Sequence, residues 1–145
     1  MKKIYVNLTG DLFHYGHVSF FKKARKFGDY LLAGVHSDEE VAFFKWPPVL
    51  NLNERTAVIE SCNLVNEVIP SAPFETTEKF INDHQIDLVV ASKSYSVEVL
   101  NKFYKAPQKM GILKLVDYKD GISTSSIVSR CAQIYKKREH LKKKM

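Results

Sequence analysis

His14 and His17 stand three residues apart around Gly16, in the stretch Thr9-Gly10-Asp11-Leu12-Phe13-His14-Tyr15-Gly16-His17. On the first turn of a helix, positions three apart share a face, so the pair can aim both rings at one anion. The unpaired backbone N–H groups and the positive dipole end of a helix start point the same way. Gly16 carries no side chain, which lets a ligand approach the backbone closely. The chemistry such a turn can do is phosphate handling. Taken alone, the pair reads equally as helix caps or surface residues.

For that reading, the turn must join a strand to a helix. The apolar run Ile4-Tyr5-Val6-Asn7-Leu8 suits a buried strand, and Val18 to Lys26 reads as a helix, which places both histidines at its N-terminus. Tyr30 to Val35, Glu67 to Pro70, Ile86 to Ala91 and Ile112 to Val116 are further strand-like runs. Helical segments between them begin at Ser37 or Asp38, run from Asn53 to Cys62, start at Thr76 or Thr77, and span Ser96 to Lys105. Lys45-Trp46-Pro47-Pro48-Val49 is a loop, because paired prolines cannot continue a helix. Near the end, Gly121-Ile122-Ser123-Thr124-Ser125-Ser126 is a second turn into a helix, crowded with N-cap hydroxyls.

Strands alternating with helices predict an α/β chain: a Rossmann-like, doubly wound parallel sheet of about five strands with helices on both faces. Ligands of such sheets bind outside the carboxyl ends of the strands, where both turns lie. Two distant stretches thereby become walls of one site.

The chain of 145 residues is expected to form one main domain over 1–130, followed by a basic helix or tail over 131–145. Its net charge of +6 belongs to that end: residues 130–145 hold seven Lys and Arg against Glu139 alone, while the remainder balances. A run of this kind is ordinarily a solvated helix end, so neither nucleic-acid binding nor membrane contact is expected of it. Its apolar positions Ile127, Cys131, Ile134 and Tyr135 predict docking on the sheet. Cys62 and Cys131 have no ligand-rich neighbourhood, predict no metal site, and are expected to be reduced and partly buried. No apolar run approaches the ~20 residues a bilayer needs, and the expected location is cytoplasmic.

Asp11-Leu12-Phe13-His14-Tyr15-Gly16-His17 resembles the H-x-G-H signature of the nucleotidyltransferase superfamily. Gly121-Ile122-Ser123-Thr124-Ser125 resembles its second signature, G-I-S-T-[ST], in the form found in the cytidylyltransferase branch. Between them, Gly34 to Glu40, Lys45 with Pro47-Pro48-Val49, Asn53-Glu54-Arg55 and Asn66 to Pro70 follow in the order of that branch, so the resemblance runs from about Lys3 to Arg130. Within the branch, the chain looks most like enzymes making CDP-ethanolamine, CDP-choline or CDP-glycerol. The resemblance implies that a phosphomonoester attacks the α-phosphate of CTP, with Mg²⁺ accompanying the nucleotide, in a homodimer to whose interface Phe20 or Phe44 is a candidate contributor. His14, His17 and Lys45 would stabilise the transition state. Thr9, Gly10, Gly16, Lys119, Gly121, Ile122, Ser123 and Thr124 would complete the nucleotide site, and Asp11, Asp38, Arg55 and Lys93 are candidates on the phospho-alcohol side. Arg55 equally fits a role of holding its helix against an acid.

Five positions depart from the family pattern. Leu8 replaces a glycine and Gly10 an aromatic; Asn63 replaces a basic residue; Lys93 stands where an acid is usual. Tyr118 begins Tyr118-Lys119-Asp120 in place of R-T-E, which removes an arginine and leaves Lys119 as a candidate substitute. Lys93, if it faces the site, argues against a cationic alcohol. Two other readings stay open on these residues: a catalytically weakened nucleotide-binding homologue, and an adenylyltransferase of the same superfamily.

Overall fold

A computed structural model describes all 145 residues. Five parallel strands, β1 (Lys3–Leu8), β2 (Tyr30–Val35), β3 (Glu67–Pro70), β4 (Leu88–Ser92) and β5 (Leu113–Val116), form one sheet in the order β3-β2-β1-β4-β5. The chain therefore winds outward from β1 in both directions, and the switch point lies between β1 and β4. The expected doubly wound sheet is what the structure contains.

Each strand's two-residue period sorts its side chains between the faces. Ile4 and Val6 of β1 join Leu31, Ala33, Val35 and Val90 in a core under α1 (Tyr15–Arg25) and α3 (Leu52–Glu60), which contribute Phe20, Phe21, Ala24 and Ile59. Tyr5 faces the other way with Leu32, Val89 and Ala91, against Ile81 of α4 (Glu78–Asp83) and Tyr104. Burying apolar area on both faces drives assembly, at roughly 25 cal/mol per Å². α2 (Asp38–Phe44) lies between β2 and the Lys45–Val49 loop.

Two elements differ from the sequence expectations. The segment read as one helix over Ser96 to Lys105 is two, α5 (Val97–Phe103) and α6 (Lys105–Lys109); Tyr104 leaves helical geometry between them, and Pro107 sits in the short second helix. Residues 131–145 continue α7 (Thr124–Lys144) without a break at 130. That helix also does not dock on the sheet: Ile134 is 49% exposed and Leu141 59%, and Cys131 is exposed, not partly buried as expected. Its apolar stripe is narrow and flanked by Arg130, Lys137, Arg138 and Lys142, whose charges would lose hydration against a sheet. No helix is long and apolar enough to cross a membrane.

Candidate functional site

His14 is the N-cap of α1 and His17 its third residue, joined in a reciprocal capping pair. The Gly16 N–H donates to His14 Nδ1 at 3.0 Å, and the His14 N–H donates to His17 Nδ1 at 3.1 Å. An Nδ1 that accepts carries no hydrogen, so each neutral ring keeps its proton on Nε2 and presents it as a donor. Burial holds both rings neutral. Desolvation takes His17, which is 8% exposed, down to about 3, helped by the charges of His14 and Lys45, and it lowers His14 as well. The ring centroids are 3.9 Å apart, and Phe13 stacks on His17. The cap reading and the anion reading thus describe one geometry.

The second signature meets the first. Ser123 caps α7, accepting the Ser126 N–H, while the Thr124 hydroxyl donates to Asp11 O at 3.1 Å and lies 3.4 Å from His14 Nε2. The first turns of α1 and α7 therefore face one cavity of about 900 Å³ at the carboxyl ends of the strands. Thr9, Gly10, Asp11, His14, His17, Lys45, Ser123 and Thr124 all line it. The Thr9 hydroxyl is buried without a hydrogen-bond partner in the chain. Gly10 holds φ +70°, and a Cβ there would meet Ile59 Cδ1 at 2.5 Å and the Leu8 side chain at 3.5 Å. Ile59, with the left-handed backbone, excludes a side chain at position 10, while Leu8 packs against that position at ordinary contact distance.

Lys45 enters from the α2–α3 loop. The residue is exposed overall, but its ammonium sits 5.9 Å from the centre of the Phe74 ring, and desolvation lowers its pKa. Asp11 holds this loop: its carboxylate accepts the Val49 N–H at 2.8 Å and the Leu50 N–H at 2.9 Å. Asp11 thus lines the cavity with both oxygens already engaged. Asp38 and Arg55 are engaged with each other at 2.7 Å, and neither lines the cavity. Arg55 is fully buried and also donates to Thr9 O at 2.6 Å and Leu50 O at 3.0 Å. Of its two expected roles, this geometry is that of holding the helix against an acid.

Other expected residues also lie outside. Lys93 is exposed, 3.8 Å from Asp117, and with Lys23 and Lys119 it lines a separate outer basin. At that place Lys93 does not face the main cavity and sets no charge requirement on the alcohol. Lys119 stands over the Tyr15 ring at 5.2 Å. Gly121, at φ +82°, shapes the turn before Ser123 without lining the cavity; Ile122 and the exposed Asn63 do not line it either. Gly16 lies beneath the His14 ring. Phe20 and Phe44, the candidates for a subunit interface, both line the cavity.

The motifs gave no view of the cavity's aromatic half. Phe44, Phe74 and Phe103 cluster with centroids 4.8 to 5.5 Å apart, and His36 stacks on Phe74 at 3.9 Å. Lys102 lies 5.0 Å from the Phe44 centroid and 5.3 Å from that of Phe103. Phe74 lies in the loop after β3, where the rule that loops at strand carboxyl ends build the site was the available signal, whereas Phe103 ends helix α5. No group of three His, Cys, Asp or Glu side chains that could hold a metal ion is present.

The chain is similar to known proteins over most of its length. The family described as cytidylyltransferase-like matches residues 9–130. Ethanolamine-phosphate cytidylyltransferase of Dictyostelium discoideum is 36% identical over 129 residues, which cover 88% of this chain and 36% of that protein. Choline-phosphate cytidylyltransferase A of Homo sapiens is 35% identical over 136 residues, covering 92% of this chain and 37% of that protein. The chain thus spans about a third of the length of the curated relatives it matches. Among solved structures, a lipopolysaccharide core biosynthesis protein from Thermoplasma volcanium GSS1 superposes with a TM-score of 0.64 at 23% identity, covering 82% of this chain and 97% of that one. That last likeness concerns the fold.

Proposed function

Because the chain belongs to the cytidylyltransferase-like family, we propose that it transfers CMP from CTP to a small phospho-alcohol, giving a CDP-alcohol and pyrophosphate. The observation that carries this reading is the convergence of the His14 and His17 Nε2 donors with the N-terminus of α7 in one cavity. A phosphomonoester oxygen bonds to the α-phosphorus as the bond from that phosphorus to the α–β bridging oxygen breaks, and that oxygen leaves with the pyrophosphate. The nucleophile is already an anion, so no general base is needed, and neutral histidines suit the task. Donors fixed before the substrate arrives need no reorganisation as charge develops. Lys45 adds a point charge, and the Ser123–Thr124 turn offers backbone N–H groups to the outer phosphates.

No residue cage for Mg²⁺ supports a protein-bound ion, since Asp11 is taken by two amides. The ion is proposed only as the companion of the nucleotide, and no step is assigned to it. A homodimer is proposed on the family resemblance, and a cytoplasmic location on the sequence's short apolar runs; the exposed stripe of α7 would be available to a second copy.

The alcohol end falls to the aromatic half. Relatives bearing the ethanolamine name favour an ammonium there. Lys102 and Lys45 over the rings favour a neutral or anionic group, as in glycerol 3-phosphate. Pyrophosphate release with CTP or ATP against phosphoethanolamine, phosphocholine and glycerol 3-phosphate tests both points. Release with CTP and at least one of them is expected. Tight CTP binding with no release from any would establish the nucleotide-binding homologue instead, and release with ATP alone the adenylyltransferase.

A further inference from the structure

We infer that Tyr118 is a phosphate-binding residue of this site, its hydroxyl donating to a nucleotide phosphate oxygen beside His14. The inference rests on the proposed use of the cavity for CTP. Tyr118 follows β5, in an extended segment where neighbouring side chains alternate: Asp117 and Lys119 are exposed, and Tyr118 is half-buried between them. Tyr118 also lines both the main cavity and the lysine-lined outer basin, as does Ser94. Lys119, the candidate substitute for the missing arginine, belongs to the outer basin alone.

The hydroxyl's position follows from Gly16. A Cβ built on that glycine would lie 2.9 Å from Tyr118 Oη, 2.8 Å from His14 Cε1 and 3.0 Å from His14 Nδ1. Oη and the imidazole edge therefore flank a single point at the first turn of α1. The ring is held there by Phe20, whose centroid is 6.1 Å away. Oη makes no hydrogen bond within the chain, whereas the backbone and imidazole groups around it are paired. Desolvation pushes the phenol up to about 12, so at neutral pH it is an O–H donor. A free donor packed beside the His14 imidazole adds to a cluster suited to phosphate oxygens.

A neutral donor supplies direction without charge. Tyr118 would thus orient the phosphate where an arginine would also have neutralised it. The full chain, Tyr118→Phe and Tyr118→Arg are compared for binding of CTP and, by competition, of cytidine, which has no phosphates. Tyr118→Phe keeps the ring and its packing and removes only the hydroxyl. CTP is expected to bind about tenfold more weakly to it, with cytidine unchanged, and Tyr118→Arg is expected to bind CTP at least as tightly as the wild type. CTP affinity within twofold of wild type in Tyr118→Phe, or equal weakening of CTP and cytidine, would overturn the assignment. The expected shifts without turnover of any phospho-alcohol would leave Tyr118 in place and overturn the transfer reading alone.

Discussion

Arg55→Met tests whether the buried guanidinium organises the site or serves as a ligand. The side chain is 0% exposed and makes three bonds: to Thr9 O at 2.6 Å, Leu50 O at 3.0 Å and Asp38 at 2.7 Å. Methionine fills a similar volume, so the cavity term is small. Each lost carbonyl bond to a charged donor is worth ~1.5 kcal/mol, the low end of the usual range. The Asp38 side chain is 39% exposed and keeps much of its hydration, so that pair adds only about 0.5 to 1 kcal/mol. Relief from desolvating the guanidinium opposes these losses, but it does not restore partners to two carbonyls. The net expectation is a loss of about 3 to 4 kcal/mol, or a Tm lower by roughly 10 °C in a domain of this size. Arg55→Lys keeps the charge but not the fork, and should recover only a minor part. Urea unfolding followed by circular dichroism measures both variants. A loss below about 1 kcal/mol in Arg55→Met, together with abolished turnover, would refute the clamp and return Arg55 to the substrate.

Two further outcomes follow from the histidines. His17→Ala should reduce turnover far more than CTP affinity, because an interaction that strengthens in the transition state leaves its mark on kcat; unchanged turnover would remove His17 from the mechanism. Acid should destabilise the fold through His17 and His36, whose pKa values burial lowers to about 3 and about 4. Unfolded histidine titrates near 6.5, so the unfolded chain binds more protons below that pH. Their stabilising contribution is complete above about pH 6.5 and is lost as pH falls towards the folded values. Between pH 7 and 5.5, about 2 to 3 kcal/mol should disappear from urea-derived stability, and stability that stays level over that interval would contradict the burial of these rings.

The sequence exposed the fold because its strands are short apolar runs between capped helices, and a parallel sheet needs little more. Ser37, Thr77 and Ser96 cap their helices as their residue types suggest. The meeting of His14 with Thr124 was legible for the same reason, since topology alone brings both turns to one edge. Side-chain direction was less accessible. Lys93 and Lys119 resemble site residues by position, but each points to the outer basin, and nothing in a lysine's identity reveals that. Tyr118 looked like a loss because sequence position does not show which of two alternating neighbours turns inward. Asp11 looked like a ligand, yet its partners are two amides 38 and 39 residues away, which no local pattern contains. The undocked α7 also carries an apolar stripe, and its narrowness, its flanking charges and the sheet's existing cover of α1 and α3 are what set it apart from a docked helix.

The capping of α1 has a consequence for metal selectivity. Two imidazoles with centroids 3.9 Å apart would ordinarily attract copper, nickel or zinc, which bind through a ring nitrogen lone pair. Here each Nδ1 lone pair already accepts a backbone N–H, and each Nε2 carries a hydrogen. A transition ion could enter only by stripping a proton or breaking the first turn of the helix, with the free energy of that turn set against it. The same two amides that begin the helix therefore guard the proposed phosphate site against capture by trace metals.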